Sequence, residues 1–210
     1  ILFAMKLKHL SLTMFCLAIL FSCKKKDTIS QETDNLFKYR DYISYTSSGL
    51  QSVMEPIKIN LANDVKGWEQ GQEIEGDLVS LSPHTDGKLT VLNTHTLVFT
   101  PDEYLEPATE YKVKVKLDQI YKNMPKDYED YVFQFKTITP NFSINTNALQ
   151  SYSKKWQYLE AVIKSADVIS IEDAKQLIEA SQNGKKLKLQ FNELEKASRQ
   201  FDFRIDSINE

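Results

Sequence analysis

Tyr111-Lys112-Val113-Lys114-Val115-Lys116-Leu117 alternates apolar and cationic side chains without a break. Successive side chains of an extended chain point to opposite faces, so this stretch is a strand with one buried and one wet face. The same alternation surrounds it. Ile57, Ile59 and Leu61 carry it, as do Leu89 and Val91, Leu97 and Phe99, and Tyr131, Phe133 and Phe135. Turn signals separate the runs: Ser48-Gly49, Gly71, Ser82-Pro83, Asp86-Gly87, Pro101-Asp102, Pro107 and Met124-Pro125. Short strands at this spacing over residues 39–139 predict a mainly β fold, an antiparallel Ig-like β-sandwich whose two inner faces form the core.

A second module is expected over residues 141–210. Trp156 to Lys164 is mostly apolar, and Leu187, Leu189, Phe191 and then Phe201, Phe203, Ile205 alternate. One helix interrupts it. Ser170 caps the first turn with Asp173 three residues on, Ile171, Ala174, Leu177 and Ile178 share a face, and Asn183-Gly184 reads as the stop. The pattern is a partial β-rich (α+β) module, with its remaining strands expected beyond Glu210.

The other end of the chain reads as an address. Met5-Lys6-Leu7-Lys8-His9 precedes an apolar run from Leu10 to Phe21, and Ile1 to Ala4 read as a translation artefact before Met5. A run of twelve residues falls short of the roughly 20 needed to cross a bilayer, so residues 1–22 are a signal peptide. Leu20-Phe21-Ser22-Cys23 resembles the bacterial lipobox, in which the Cys thiol receives diacylglycerol and the chain is cut just before it. Cys23 is therefore the lipidation candidate; the alternative is an ordinary secretory signal with an incidental Cys. Residues 23–38, beginning with Lys24-Lys25-Lys26, read as a polar tether near anionic head groups. The implied location is the bacterial cell envelope, as an outer-membrane lipoprotein facing the periplasm or the outside.

The 26 basic and 29 acidic residues are interspersed and give a formal charge of −3, which builds no field for a polyanion, so nucleic acid is not an expected partner. After processing, Cys23 is the remaining cysteine and no disulfide or thiolate chemistry is expected. His84 and His95 lie in turns without ligand spacing, and Asp127, Glu129 and Asp130 lack the spacing of a calcium loop. Gly67-Trp68-Glu69-Gln70-Gly71 reads as a hairpin loop. The carboxylate pairs Asp102 with Glu103 and Glu172 with Asp173 fall in turns or a helix start, where the helix macrodipole accounts for the second pair. No catalytic, cofactor or metal residue is assigned, and the chain is not expected to be an enzyme. Trp68, Trp156 and the tyrosines could line a sugar platform, but core packing is their expected use, since Tyr111 and Tyr131 fall on the inward phase of their strands; Trp68 is the one loop aromatic left to test.

The run Leu81-Ser82-Pro83 to Asp86-Gly87, Leu97-Val98-Phe99-Thr100-Pro101, Leu105-Glu106-Pro107-Ala108-Thr109 and Tyr111-Lys112-Val113 resembles a bacterial Ig-like module. With Tyr158 to Asp167, the helix, Leu187 to Phe191, Phe201 to Ile205 and the lipobox, the chain resembles the start of a bacterial alpha-2-macroglobulin family lipoprotein of the large kind found in Bacteroidota. That resemblance implies macroglobulin-like sandwiches in series and an endopeptidase inhibitor that traps proteases when a bait segment is cut. The family's Cys-x-Glu-Gln thioester motif is absent from this sequence. Asp27-Thr28-Ile29 and Asp206-Ser207-Ile208 resemble O-glycosylation sites of Bacteroidota, making Thr28 and Ser207 candidates.

The expectation is thus a membrane-anchored, non-catalytic segment of a protease trap, with proteases as targets of the full-length protein. The alternative is an Ig-like surface lipoprotein stalk for adhesion or glycan binding.

Overall fold

The computed structural model describes residues 35–153 and 155–209. The signal segment, Cys23, Thr28 and most of the tether lie outside the described residues. Eight strands build the first half: β1 (Ile43–Thr46), β2 (Gly49–Gln51), β3 (Ile57–Leu61), β4 (Val79–Ser82), β5 (Gly87–Asn93), β6 (Thr96–Pro101), β7 (Glu110–Lys116) and β8 (Asp130–Thr137). They form two four-stranded sheets, β1-β3-β6-β5 and β2-β8-β7-β4. This strand order is that of an Ig-like sandwich.

The leading strand is shared between the sheets. β1 pairs antiparallel with β3, the chain crosses over, and β2 then pairs parallel with β8 in the opposite sheet. The crossing ends at Gly49, whose φ of +73° is a left-handed conformation that costs glycine little. Ser47, buried at the crossing, accepts the Lys58 amide on its hydroxyl at 3.0 Å.

The alternation read from the sequence places the core. Ile59, Leu97, Val113, Val115 and Tyr131 are fully enclosed between the sheets, and Tyr111 stacks on Phe135 with ring centroids 5.2 Å apart. Leu117 departs from the expected strand. It opens a short 3-10 turn (Leu117–Gln119) yet stays buried, because its amide bonds the Glu129 carbonyl at 2.7 Å and draws the turn back over the core.

The motif Leu105-x-Pro107-x-Thr109-x-Tyr111 is a corner closed by hydrogen bonds. The Tyr111 hydroxyl accepts the Glu106 amide at 3.0 Å, while the Thr137 hydroxyl donates to the Glu106 carbonyl at 2.6 Å. Both backbone polar groups of Glu106 are thereby satisfied inside the fold, the Tyr111 contact being that of the tyrosine corner in Ig-like sandwiches.

Two expectations for this half need correction. The fold begins before Tyr39: residues 35–39 are helical, Leu36 packs on the core, and the Asn35 side-chain Nδ2 donates to the Val132 carbonyl. Residues 35–38 are therefore not tether. Gly67 to Gly71 is not a hairpin loop either, since the chain here lies along the outer edge of β5. Gly71 donates to the Val91 carbonyl, Val91 to Gln72, and Ile74 to Leu89, each at 2.8 Å. This strap covers an edge that would otherwise offer unpaired backbone groups.

The second half is a five-stranded sheet with a short helix. β9 (Phe142–Thr146), β10 (Gln150–Ser151), β11 (Trp156–Ser170), β14 (Lys188–Phe191) and β15 (Ala197–Asn209) pair in the order β10-β11-β15-β14, with β9 also on β11. Ala161, Ile163, Phe201 and Phe203 form its buried face, and helix α1 (Ile171–Gln176) covers one end with Ile171 and Ala174. The Ser170 cap is as expected, its hydroxyl oxygen accepting the Asp173 amide at 3.0 Å, a bond worth about 1 kcal/mol. The helix stop is not. Helix α1 ends at Gln176 with Leu177 as its C-cap, and Asn183-Gly184 instead forms the two-residue turn between β12 (Ser181–Gln182) and β13 (Lys185–Lys186), with φ of 52° and 77°. Asn-Gly suits both devices because both need positive φ. Leu187 precedes β14, its amide bonding the Ala180 carbonyl.

Two substitutions test this account. Tyr111→Phe removes the acceptor of the Glu106 amide and should cost about 1 kcal/mol, read as a lower urea midpoint at unchanged slope. Gly87→Ala sets a methyl 2.5 Å from the Thr100 carbonyl oxygen and 2.9 Å from Pro101 Cα. Backbone cannot swing away, so a loss of about 1–3 kcal/mol is expected in the same measurement.

Candidate functional site

The connection between the sandwich and the second sheet is built on a carboxylate. Asp167, near the far end of β11, is 5% exposed. Its Oδ2 accepts the Val53 amide at 2.9 Å and its Oδ1 accepts the Val168 amide at 2.7 Å. Val53 follows β2, and its carbonyl in turn accepts the Leu105 amide at 3.1 Å. Gln51 accepts the Ile138 amide at 3.0 Å, where the chain leaves β8. A buried acid with both oxygens bonded to backbone N–H groups is stable there, and it joins strands distant in sequence.

The residues singled out in the sequence are dispersed. His84 Nε2 lies 3.1 Å from Asp86 Oδ1, both exposed. His95 Nδ1 lies 3.1 Å from Asp64 Oδ1, which also accepts the Thr94 hydroxyl at 2.6 Å. That hydroxyl first, and the imidazole second, hold the exposed Asp64 carboxyl below its ordinary value. Asp127 offers its backbone carbonyl to Lys38 at 2.8 Å, and the Asp130 carboxylate pairs with Lys114 at 2.7 Å. Among the described residues no group of three or more His, Cys, Asp and Glu is placed to hold a metal ion. Asp102 and Glu103 border a shallow hollow beside Tyr104, and Glu172 and Asp173 occupy the first turn of α1. Ser207 is exposed in β15, at an irregularity of the β11–β15 pairing where its φ is 62°.

The aromatic candidates divide. Trp68, singled out from the sequence as the loop aromatic, is half-buried against the sandwich core and is not a free platform. Trp156 and Tyr152 are 41% and 51% exposed, at one end of the second sheet. Next to them Arg204 lays its guanidinium 3.8 Å from the Tyr158 ring centroid. Sequence reasoning missed Arg204, although its place on the polar phase between Phe203 and Ile205 was legible.

No family model and no curated protein matches this chain. Solved structures do. L,D-transpeptidase 3 from Mycobacterium tuberculosis in complex with a faropenem-derived adduct is 13% identical with a TM-score of 0.33, covering 58% of this chain and 46% of that one. An L,D-transpeptidase from Mycobacterium tuberculosis H37Rv is 10% identical with a TM-score of 0.34, covering 74% and 61%. The chain thus spans about half the length of the solved chains it resembles. A likeness this distant carries no argument about activity. No described helix is long and apolar enough to cross a membrane.

Asp167→Ala should release the joint and leave the sandwich intact. In hydrogen exchange the Val53 amide is expected to lose about tenfold or more of its protection, as befits a bond to a charged acceptor. Val113 in β7 should keep its protection; equal loss at both would place Asp167 in the global core instead.

Proposed function

We propose that this chain is the leading, non-catalytic segment of an alpha-2-macroglobulin-type endopeptidase inhibitor, held on the outer membrane through Cys23. The observation that carries the reading is two β modules in series, stiffened at the joint by Asp167 and Val53. A trap that closes on its attacker needs leading modules that keep their spacing while other parts move. Supporting modules of fixed spacing, Leu105, Glu106 and Tyr111 form the corner that feeds β7, and β11 supplies the joint.

The anchor follows from ordinary lipid energetics. Each buried methylene contributes roughly 0.8 kcal/mol, so one acyl chain binds reversibly and several hold for good. The Lys24-Lys25-Lys26 run adds attraction to anionic head groups. In this reading the sandwich stands off the bilayer on a short tether and takes no part in chemistry itself.

Cells fed labelled palmitate should label the protein, and Cys23→Ala should abolish the label and move the protein to the soluble fraction; a variant that stays on the membrane overturns the anchor. For the inhibitor, the product of the whole reading frame mixed with a protease should elute with it as one complex and suppress cleavage of a protein substrate. Undiminished protease activity, with no complex, overturns that role.

A further inference from the structure

The outer face of the second sheet carries a trough that neither the anchor nor the joint uses. Its floor is the backbone of Ala161, Phe203 and Phe191, side by side on β11, β15 and β14. Ala161 and Phe203 turn their side chains to the opposite, buried face. Alternation therefore raises a wall on each side of the floor. One wall is Glu160, Arg204 and Gln190; the other is Val162, Asp202 and Asn192. The space between them is about 420 Å³, within the roughly 300–1,000 Å³ of ordinary ligand sites.

We infer that this trough is a glycan-binding site, taking a neutral oligosaccharide laid across the strands. The argument is one of donors and acceptors. Ionised Glu160 and Asp202 only accept hydrogen bonds, Arg204 only donates, and the Gln190 and Asn192 amides do both. A hydroxyl, which donates and accepts, satisfies any of the three, so a ligand dense in hydroxyls fits every polar side chain of the walls, leaving Val162 to meet its C–H surface.

Arg204 is set for this role. It is held over Tyr158, whose hydroxyl donates to Gln150 Oε1 at 2.6 Å. Its Nη2 makes a long 3.4 Å bond to Asp206 Oδ1, and its Nε is buried without a partner. The other N–H groups of Nη1 and Nη2 are the ones left to donate, while the group itself is fixed. Beyond it, the exposed rings of Tyr152 and Trp156 extend the same end of the sheet with apolar surface on which the C–H face of a sugar can stack.

Other ligand classes fit less well. Two carboxylates in the trough repel a phosphate chain. An extended peptide joins a sheet through free edge groups; the middle floor strands β11 and β15 are paired on both sides, and of the floor strands β14 alone offers an edge, beside the trough and not within it.

The test is titration calorimetry of the full chain against a panel of defined neutral oligosaccharides built from glucose, mannose and N-acetylglucosamine. At least one should bind, and Asp202→Ala and Gln190→Ala, both at exposed positions, should each weaken it by about tenfold, the cost of one hydrogen bond to a ligand. Lys112→Ala, on the sandwich, should change nothing, and circular dichroism should be the same for all variants. No binding at millimolar sugar overturns the proposal. So does binding that both trough variants leave unchanged, or binding of a peptide panel in its place. Neither membrane labelling nor protease inhibition enters this readout, so it stands or falls apart from the function proposed above.

Discussion

Residues 51–53 are the node on which the described structure depends. Gln51 ends the strand that crosses between the two sandwich sheets, and its carbonyl holds the amide of Ile138 as the chain leaves β8. Ser52 is buried, and Val53 bonds on one side to the corner at Leu105 and on the other to Asp167 of the second sheet. Three segments far apart in sequence thus converge on one short backbone stretch. Surface ion pairs such as Lys88 with Glu73 contribute little beside this, about 0–1 kcal/mol each, because water screens them.

The two halves solve burial differently. The sandwich covers both of its inner faces with each other and closes one end with Tyr39, whose ring packs edge-on against Tyr128 and Tyr131 at 5.3 and 5.1 Å. The second sheet has a narrow apolar face, centred on Ile163 and Phe203, with α1 over one end of it. Its opposite face is polar and open, which is why a trough walled by charged and amide groups persists there. Spacing and recognition are then separable properties of one chain, the first residing in the joint and the second in the outward phase of β11, β14 and β15.

Much of the fold was legible because burial and alternation are the same fact. Wherever one face of a strand is packed and the other wet, as in Tyr111 to Lys116, the period of two survives in the sequence. It fails where packing is two-sided or absent. β9 alternates Phe142 and Ile144 with Ser143 and Asn145 yet is exposed along its whole length, so there the period of two does not report burial. Asn183-Gly184 misled for a different reason: positive φ is required both by a helix terminus and by a tight hairpin, and local sequence does not say which. Of the candidate site, the amides and acids of the trough are individually unremarkable surface residues, and nothing in their spacing announces that Glu160, Arg204 and Gln190 stand in one row.

By itself the sequence determined β3 and β5 to β8 of the sandwich, the Ser170 cap, and the apolar positions that face inward on those strands, because each is set by neighbours within a few residues; β1, β2 and β4 emerged only in the structure. The tertiary structure alone decided that the residues after Gly67 strap the edge of β5, that Trp68 belongs to the core, that residues 35–38 fold with the sandwich, and that Asp167 bonds to Val53. These depend on pairings between segments separated by up to 114 positions. A backbone amide carries no side-chain signature of the partner it will find, so such contacts exist only once both surfaces are built.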